Sequence, residues 1–179
     1  MFYTWVMSPL GRLLMTSNER SLNGLYMADS EHKITIGLGW IENANALPFP
    51  QSKQQLAEYF KGERKTFDLP VTMVGTDFQL RVWQALLEIP FATTISYTQL
   101  AHQIGNPTGI RAVGQANGRN PIAIIIPCHR VVGANGSLTG YGGGIERKAA
   151  LLEFEKAVEI YGPQHMRSKL SKLSGSAGL

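Results

Sequence analysis

The amino-acid sequence predicts an α+β chain: a small antiparallel sheet first, then a mainly helical second half containing a helix-turn-helix. Three observations lead there. Up to Pro70, short apolar segments alternate with turn dipeptides. Beyond Thr76, two boxes of the form Ser/Thr-x-x-Gln stand at the head of apolar residues with helical spacing. Close behind the second box, Asn106-Pro107 opens another helical stretch.

In chain order, Phe2–Met7, Leu13–Thr16 and Leu22–Met27 read as strands, broken by Ser-Pro, Ser-Asn and Asn-Gly. Gln51–Lys61 reads as a helix whose apolar face carries Leu56, Tyr59 and Phe60, stopped by Gly62. Residues 65–74 cross to the second unit. There Thr76-Asp77-Phe78-Gln79 is a capping box, followed by Phe78, Val82 and Leu86 at helical spacing up to Ile89-Pro90. Ser96-Tyr97-Thr98-Gln99 repeats the box, and Gly105 breaks that short helix. Asn106 is the expected cap of the next, with Pro107 in its first turn and Ile110, Val113 and Ala116 on one face. Two short helices around a glycine turn make the helix-turn-helix. Ile122 to Ile126 is an unbroken β-branched run, expected as a buried extended segment. A glycine-rich loop from Gly133 to Gly144 precedes a last helix from Glu146 to about Tyr161. The expected units are 1–75, 76–161 and a fraying tail at 162–179.

A hydrophobic fraction of 44% is too high for disorder and supports real cores. No stretch reaches the length of a membrane span, and no basic-then-apolar leader precedes the first strand, so an intracellular location is expected. A single cysteine excludes an internal disulfide framework, and histidines at 32, 102, 129 and 165 lack zinc-ligand spacing. The net charge of +4 is weak evidence for an anionic partner. Its distribution says more: no Asp or Glu occurs from Ile89 to Ile145, while Arg111, Arg119 and Arg130 do. Such a stretch offers positive potential without repelling phosphate.

The lone cysteine is either inert core or a nucleophile. In Ile126-Pro127-Cys128-His129-Arg130-Val131 an apolar run delivers it beside a histidine and an arginine, groups that lower a thiol pKa where the backbone turns to bring them together. This segment resembles the acceptor-cysteine signature of the O6-alkylguanine–DNA alkyltransferase family. In order and spacing, Arg111-Ala112-Val113-Gly114 is similar to that family's recognition helix, Asn120-Pro121 to its hinge, Gly140-Tyr141-Gly142-Gly143-Gly144 to its pocket loop, and Lys148 through Glu155 to its last helix. The likeness covers about Thr76 to Lys156; before that, Ser8-Pro9-Leu10-Gly11 is its main trace.

The resemblance implies a ribonuclease H-like first domain and a winged-helix-like second. It also implies a protein that removes an alkyl group from a flipped guanine, and with it O4-alkylthymine repair. Glu155 would hold a water, the water His129, and His129 would take the Cys128 proton. Asn120 belongs to the same catalytic set, and Tyr97 would protonate the departing base. Main-chain groups at Cys128, Val131, Tyr141 and Gly142 would read the base edge. Arg111 would fill the gap left by the flipped nucleotide, with Ala112, Gly114, Tyr97 and Arg130 against DNA in the minor groove. The thioether product is irreversible, so each molecule would act once, as a monomer and without metal or cofactor. Ile110 and Gly142 depart from residues common in relatives, which bears on groove insertion and adduct size. Singly, each residue has an ordinary role: His129 as a satisfied buried histidine, Tyr97 and Tyr141 as packing, Asn120 as a turn cap, Glu155 as a solvated partner of Lys148 or Arg147. A binding module without chemistry and a multiple-turnover cysteine hydrolase are the rival functions.

Overall fold

The computed structural model describes residues 1–28 and 34–162. From residue 163 onward the expected tail lies outside the described residues.

Strands β1 (Phe2–Ser8), β2 (Gly11–Ser17) and β3 (Leu22–Met27) pair antiparallel in sequence order, at the segments the apolar pattern marks. The β1–β2 turn closes because the Ser8 hydroxyl donates to the Gly11 carbonyl at 2.7 Å, and Gly11 adopts φ +98°, a conformation that favours glycine. A fourth strand, β4 (Ile41–Glu42), was not expected; it joins β1 in parallel and makes the sheet mixed, in the order β3-β2-β1-β4. Its two residues are both exposed and carry no apolar alternation, so no pattern announces it. Helix α1 (Phe49–Phe60) packs on β1 and buries Phe49, Leu56, Tyr59 and Phe60.

Both capping boxes form. In α2 (Asp77–Leu87) the Thr76 hydroxyl accepts from the Gln79 N–H at 3.3 Å, and the Gln79 side chain accepts from the Thr76 N–H at 2.9 Å. In α3 (Tyr97–Gln103) Ser96 and Gln99 do the same at 3.1 and 2.7 Å. The next helix, α4 (Ile110–Gly118), starts later than Asn106-Pro107 suggests and is preceded by Gly109. Asn106 closes a separate turn instead, accepting the Gly109 N–H at 3.0 Å. A Cβ on Gly109 would stand 2.2 Å from the Asn106 side-chain amide, so a larger residue there would make that amide move. Trp83 ties α2 to α4 by donating its indole N–H to the Ala116 carbonyl at 2.8 Å.

The run from Ile122 to Ile126 is buried except for a half-buried Ala123, as expected, but it is not extended. It is a tight turn: the Ile126 N–H reaches the Ile122 carbonyl at 2.9 Å, and Ile124 takes φ +71°. A β-branched residue rarely adopts that region, so the surroundings must impose it. Two anchors do so. The outer edge of β3 holds the chain at Leu25, whose N–H donates to the Pro121 carbonyl at 2.9 Å and whose carbonyl accepts from Ala123 at 3.0 Å. Asn120 then spans the turn, accepting from the Ile122 N–H at 3.0 Å and donating to the Ile126 carbonyl at 2.7 Å. Pro127 leads into a 3-10 turn, Cys128–Arg130, so the backbone does bend at the cysteine. Short parallel strands β5 (Ile95–Ser96) and β6 (Val131–Val132) hold the far side of that turn. Helix α5 (Ile145–Tyr161) closes over it with Lys148, Leu151, Phe154, Glu155 and Val158 buried. One apolar cluster runs from Leu13 and Leu25 through Trp83 and Leu100 to Ile126 and Leu151.

Candidate active site

Cys128 is only 4% exposed. Asn120, beyond shaping the turn, donates its amide to Sγ at 2.9 Å, and Asn117 donates to the Cys128 carbonyl at 3.3 Å. Burial pushes the thiol pKa up to about 11, although the Asn120 hydrogen bond and the Lys148 charge oppose it. The expected lowering is therefore outweighed: desolvation of a thiolate costs more than these groups return, and the resting group is a thiol.

His129 and Glu155 are both fully buried. Their contact corrects one expectation: His129 Nε2 lies 2.8 Å from Glu155 Oε1, a direct bond with no room for a water between. The imidazole donates from Nε2 to the carboxylate, which leaves Nδ1 as an acceptor; that nitrogen is buried with no protein partner. Burial lowers the His129 pKa against the opposing pull of Glu155, so the ring is a neutral base.

Glu155 is no solvated helix residue. Burial alone would raise its pKa, but hydrogen bonds from His129 and Arg130 and the Arg130 charge outweigh it and hold the group at about 2. The Arg130 guanidinium donates from Nη2 to Oε1 at 2.9 Å and from Nε to Oε2 at 3.0 Å, and from Nη1 to the Ile89 carbonyl at 2.7 Å. Arg130, expected against DNA, is 6% exposed and spent on the interior, because a buried carboxylate needs a cation more than the surface does.

Tyr97 is nearly buried at the start of α3 and donates its hydroxyl to the Thr139 carbonyl at 2.8 Å. Lys148 Nζ lies 3.4 Å from that hydroxyl and 2.6 Å from the same carbonyl. Burial lowers the Lys148 pKa to about 8, with Cys128 opposing. Burial also raises that of Tyr97.

A cavity of about 200 Å³ is lined by Cys128, Asn120, Tyr141 and Gly142 together with Leu25, Tyr26 and Met27 of β3. A groove of about 750 Å³ runs beside it along α4, lined by Arg111, Gly114, Tyr97, Thr139 and Gly140. The two share Gly118, Arg119, Tyr141 and Gly142, so the cavity at the thiol and the α4 groove lie side by side. Arg111 and Ala112 are exposed on α4. Gly114 faces the Tyr97 ring, where an added Cβ would sit 3.8 Å away. Val131 is fully buried and lines neither cavity.

Spacing along the chain missed Lys148, Tyr59 and Arg119 as members of the site. For Lys148 a signal existed: it shares the buried stripe of α5 with Leu151 and Glu155, and a charge on an apolar stripe wants a partner. Among the described residues no group of three or more His, Cys, Asp or Glu side chains could hold a metal, and no helix is long and apolar enough to cross a membrane.

Two family profiles match the chain: the 6-O-methylguanine DNA methyltransferase ribonuclease-like domain over residues 1–73, and the DNA-binding domain of the same family over residues 77–157. The methylated-DNA–protein-cysteine methyltransferase of Methanosarcina barkeri is 47% identical over 156 residues, which is 87% of this chain and 98% of that protein. Its counterpart in Mycobacterium tuberculosis is 50% identical over 155 residues, 87% of this chain and 92% of that protein. The crystal structure of Mycobacterium tuberculosis OGT in complex with DNA superposes with TM-score 0.82 at 50% identity, covering 88% of this chain and 94% of that one. A hyperthermophilic archaeal relative from Pyrococcus kodakaraensis shares the fold at TM-score 0.61 and 22% identity, over 86% of this chain and 98% of that one.

Proposed function

The chain belongs to the 6-O-methylguanine DNA methyltransferase family, and from that premise we propose that it repairs O6-alkylguanine in DNA by moving the alkyl group onto Cys128. The observation that carries the reading is a buried thiol lining a cavity, followed in the chain by a buried neutral imidazole whose Nδ1 has no partner. A cavity of about 200 Å³ has room for an aromatic ring plus substituent, since one of roughly 150 Å³ binds benzene.

The geometry supports the following chemistry. A base stacked in duplex cannot reach a thiol this deep, so the nucleotide flips out through the α4 groove. His129 Nδ1 takes the thiol proton as sulfur attacks the alkyl carbon. Glu155 stabilises the imidazolium so formed, in the manner of a triad's third member. The carbon–oxygen bond breaks, a carbon–sulfur bond forms, and the electron pair stays with guanine. Tyr97 donates a proton to the departing base, and Lys148 beside it restores the hydroxyl. His129 keeps the thiol proton, Lys148 gives up the one that reaches guanine through Tyr97, and exchange with solvent returns both groups to their resting states, so the step balances. Asn120 holds Sγ in line throughout. Arg111 stands in the stack for the missing base, with Ala112 and Gly114 close to the minor groove and main-chain groups at Tyr141 and Gly142 on the base edge.

No cellular reductant cleaves the thioether. The protein therefore acts once, as an intracellular monomer with an N-terminal domain over 1–75 and a DNA-binding acceptor domain over 76–161. The same cavity admits O4-alkylthymine. Stoichiometry tests the whole reading: labelled alkylated duplex should transfer one alkyl group per chain, found by peptide mass on Cys128. Repeated product release with Cys128 unmodified would mean a hydrolase instead.

A further inference from the structure

Tyr59 belongs to α1, in the sheet-bearing half of the molecule, yet its hydroxyl donates to Glu155 Oε1 at 2.8 Å across 96 residues of sequence. The ring is fully buried among Phe60, Phe67, Phe91 and Phe154, with centroids 5.2, 5.4, 6.1 and 5.3 Å away. A phenylalanine would pack in that cluster equally well. The hydroxyl is therefore the feature that needs a reason, because a polar group brought into an apolar cluster must find a partner. Its partner is the oxygen that also accepts from His129 Nε2.

The remaining donors to this carboxylate come from the second half: Arg130 to both oxygens, and the Ala92 N–H to Oε2 at 3.0 Å. Among the described residues Tyr59 alone reaches it from the first half. Ala92 fixes Oε2 and Tyr59 fixes Oε1, so the two neutral donors set the carboxylate plane and decide which oxygen meets the imidazole. Arg130 spans both oxygens and is indifferent to that choice.

We infer that Tyr59 is a positioning residue for alkyl transfer, one that holds Glu155 on His129 and makes the first half of the molecule part of the proton relay. This rests on His129 being the base. Tyr59 also draws charge density from Oε1. Without its hydroxyl, that density falls on His129, and the imidazolium becomes easier to form. The groups facing His129 are Glu155 and Lys148 from α5 and Arg130 from its own turn; Tyr59→Phe alters none of their charges.

The experiment is Tyr59→Phe in the full chain, which keeps every ring contact. Transfer from free O6-benzylguanine and from alkylated duplex is followed across the range where imidazole titrates. The acid limb should move up by about half a pH unit and the plateau rate should fall about threefold on both substrates. Phe60→Leu, in the same ring cluster, should lower Tm and keep the wild-type profile. A wild-type profile in Tyr59→Phe, or equal shifts in both variants, would overturn the inference. NMR titration of the His129 ring reads the same positioning without any transfer. An unchanged His129 pKa in Tyr59→Phe overturns it even if the wild-type protein transfers nothing, an outcome that would separately refute the alkyl-transfer function.

Discussion

The inner cavity at the thiol and the outer groove along α4 are built on opposite principles. At the inner end, Cys128, His129, Arg130 and Glu155 are buried, and hydrogen bonds to one carboxylate tie the last three together. At the outer end, Arg111 and Ala112 stand exposed on α4, whose buried residues Val113, Ala116 and Asn117 lie on the opposite face. The inner end therefore couples chemistry to stability: a side chain there cannot change without disturbing both. The outer end separates them, because an exposed residue contributes little to folding and is free to serve a partner.

Substitution of the acceptor has the largest effect. Cys128→Ala should abolish transfer from every substrate while duplex binding persists, as measured by labelled transfer beside a binding isotherm. Residual transfer would place the acceptor elsewhere and remove the inner end from the comparison.

Glu155→Gln comes next, and it tests the coupling itself. It leaves the Arg130 charge buried without its counter-ion, which typically costs about 3–5 kcal/mol and is measurable by denaturant unfolding. It should also slow transfer. The pH dependence follows from the Glu155 pKa, held at about 2 in the fold against roughly 4.3 in an unfolded chain. A depressed carboxylate stabilises the fold above the unfolded value, and that contribution disappears as pH falls through the folded one. Wild-type protein should thus lose stability on acidification across that window, and Glu155→Gln should lose less. Equal acid slopes would mean that the carboxylate is not the buried anion described.

Arg111 sharpens the outer end. Arg111→Ala should slow transfer from duplex at least about tenfold, since an unfilled gap in the stack costs on the order of a few kcal/mol. Transfer from free O6-benzylguanine, and Tm, should stay close to wild type. Arg111→Lys should rescue poorly, because an ammonium lacks the planar face that stacks. Equal losses on both substrates would show that Arg111 supports the pocket.

The smallest effect belongs to a residue at neither end. Thr76→Ala removes the cap of α2 and should cost about 1 kcal/mol of stability, read from the unfolding midpoint, with the transfer rate unchanged. A changed rate would show that the α2 cap is coupled to the site.

These regions were not equally legible. The strands, both boxed helices and the closing helix rest on signals contained within a few residues, and each formed where it was read. The late start of α4 was misread because Asn106-Pro107 is a good cap in isolation, while the close approach of Asn106 to Gly109 depends on how the turn folds back. The run from Ile122 to Ile126 was misread for a related reason. Its β-branching favours an extended chain, and the edge of β3 together with Asn120 overrides that preference.

Residue type and near spacing sufficed for the three antiparallel strands and the main helices, for the identity of the one possible thiol nucleophile and for the likeness that makes it an acceptor. The tertiary structure decided the rest: that Arg130 turns inward, that His129 meets Glu155 without a water, that Lys148 sits beside Tyr97, and that Tyr59 reaches the carboxylate from the other half. The reason is physical. His129 and Arg130 bind Glu155 across 26 and 25 residues, and Tyr59 across 96. At such separations nothing local states which buried polar group will satisfy which. Only the packed interior, where nearly all such groups must be paired, makes the choice.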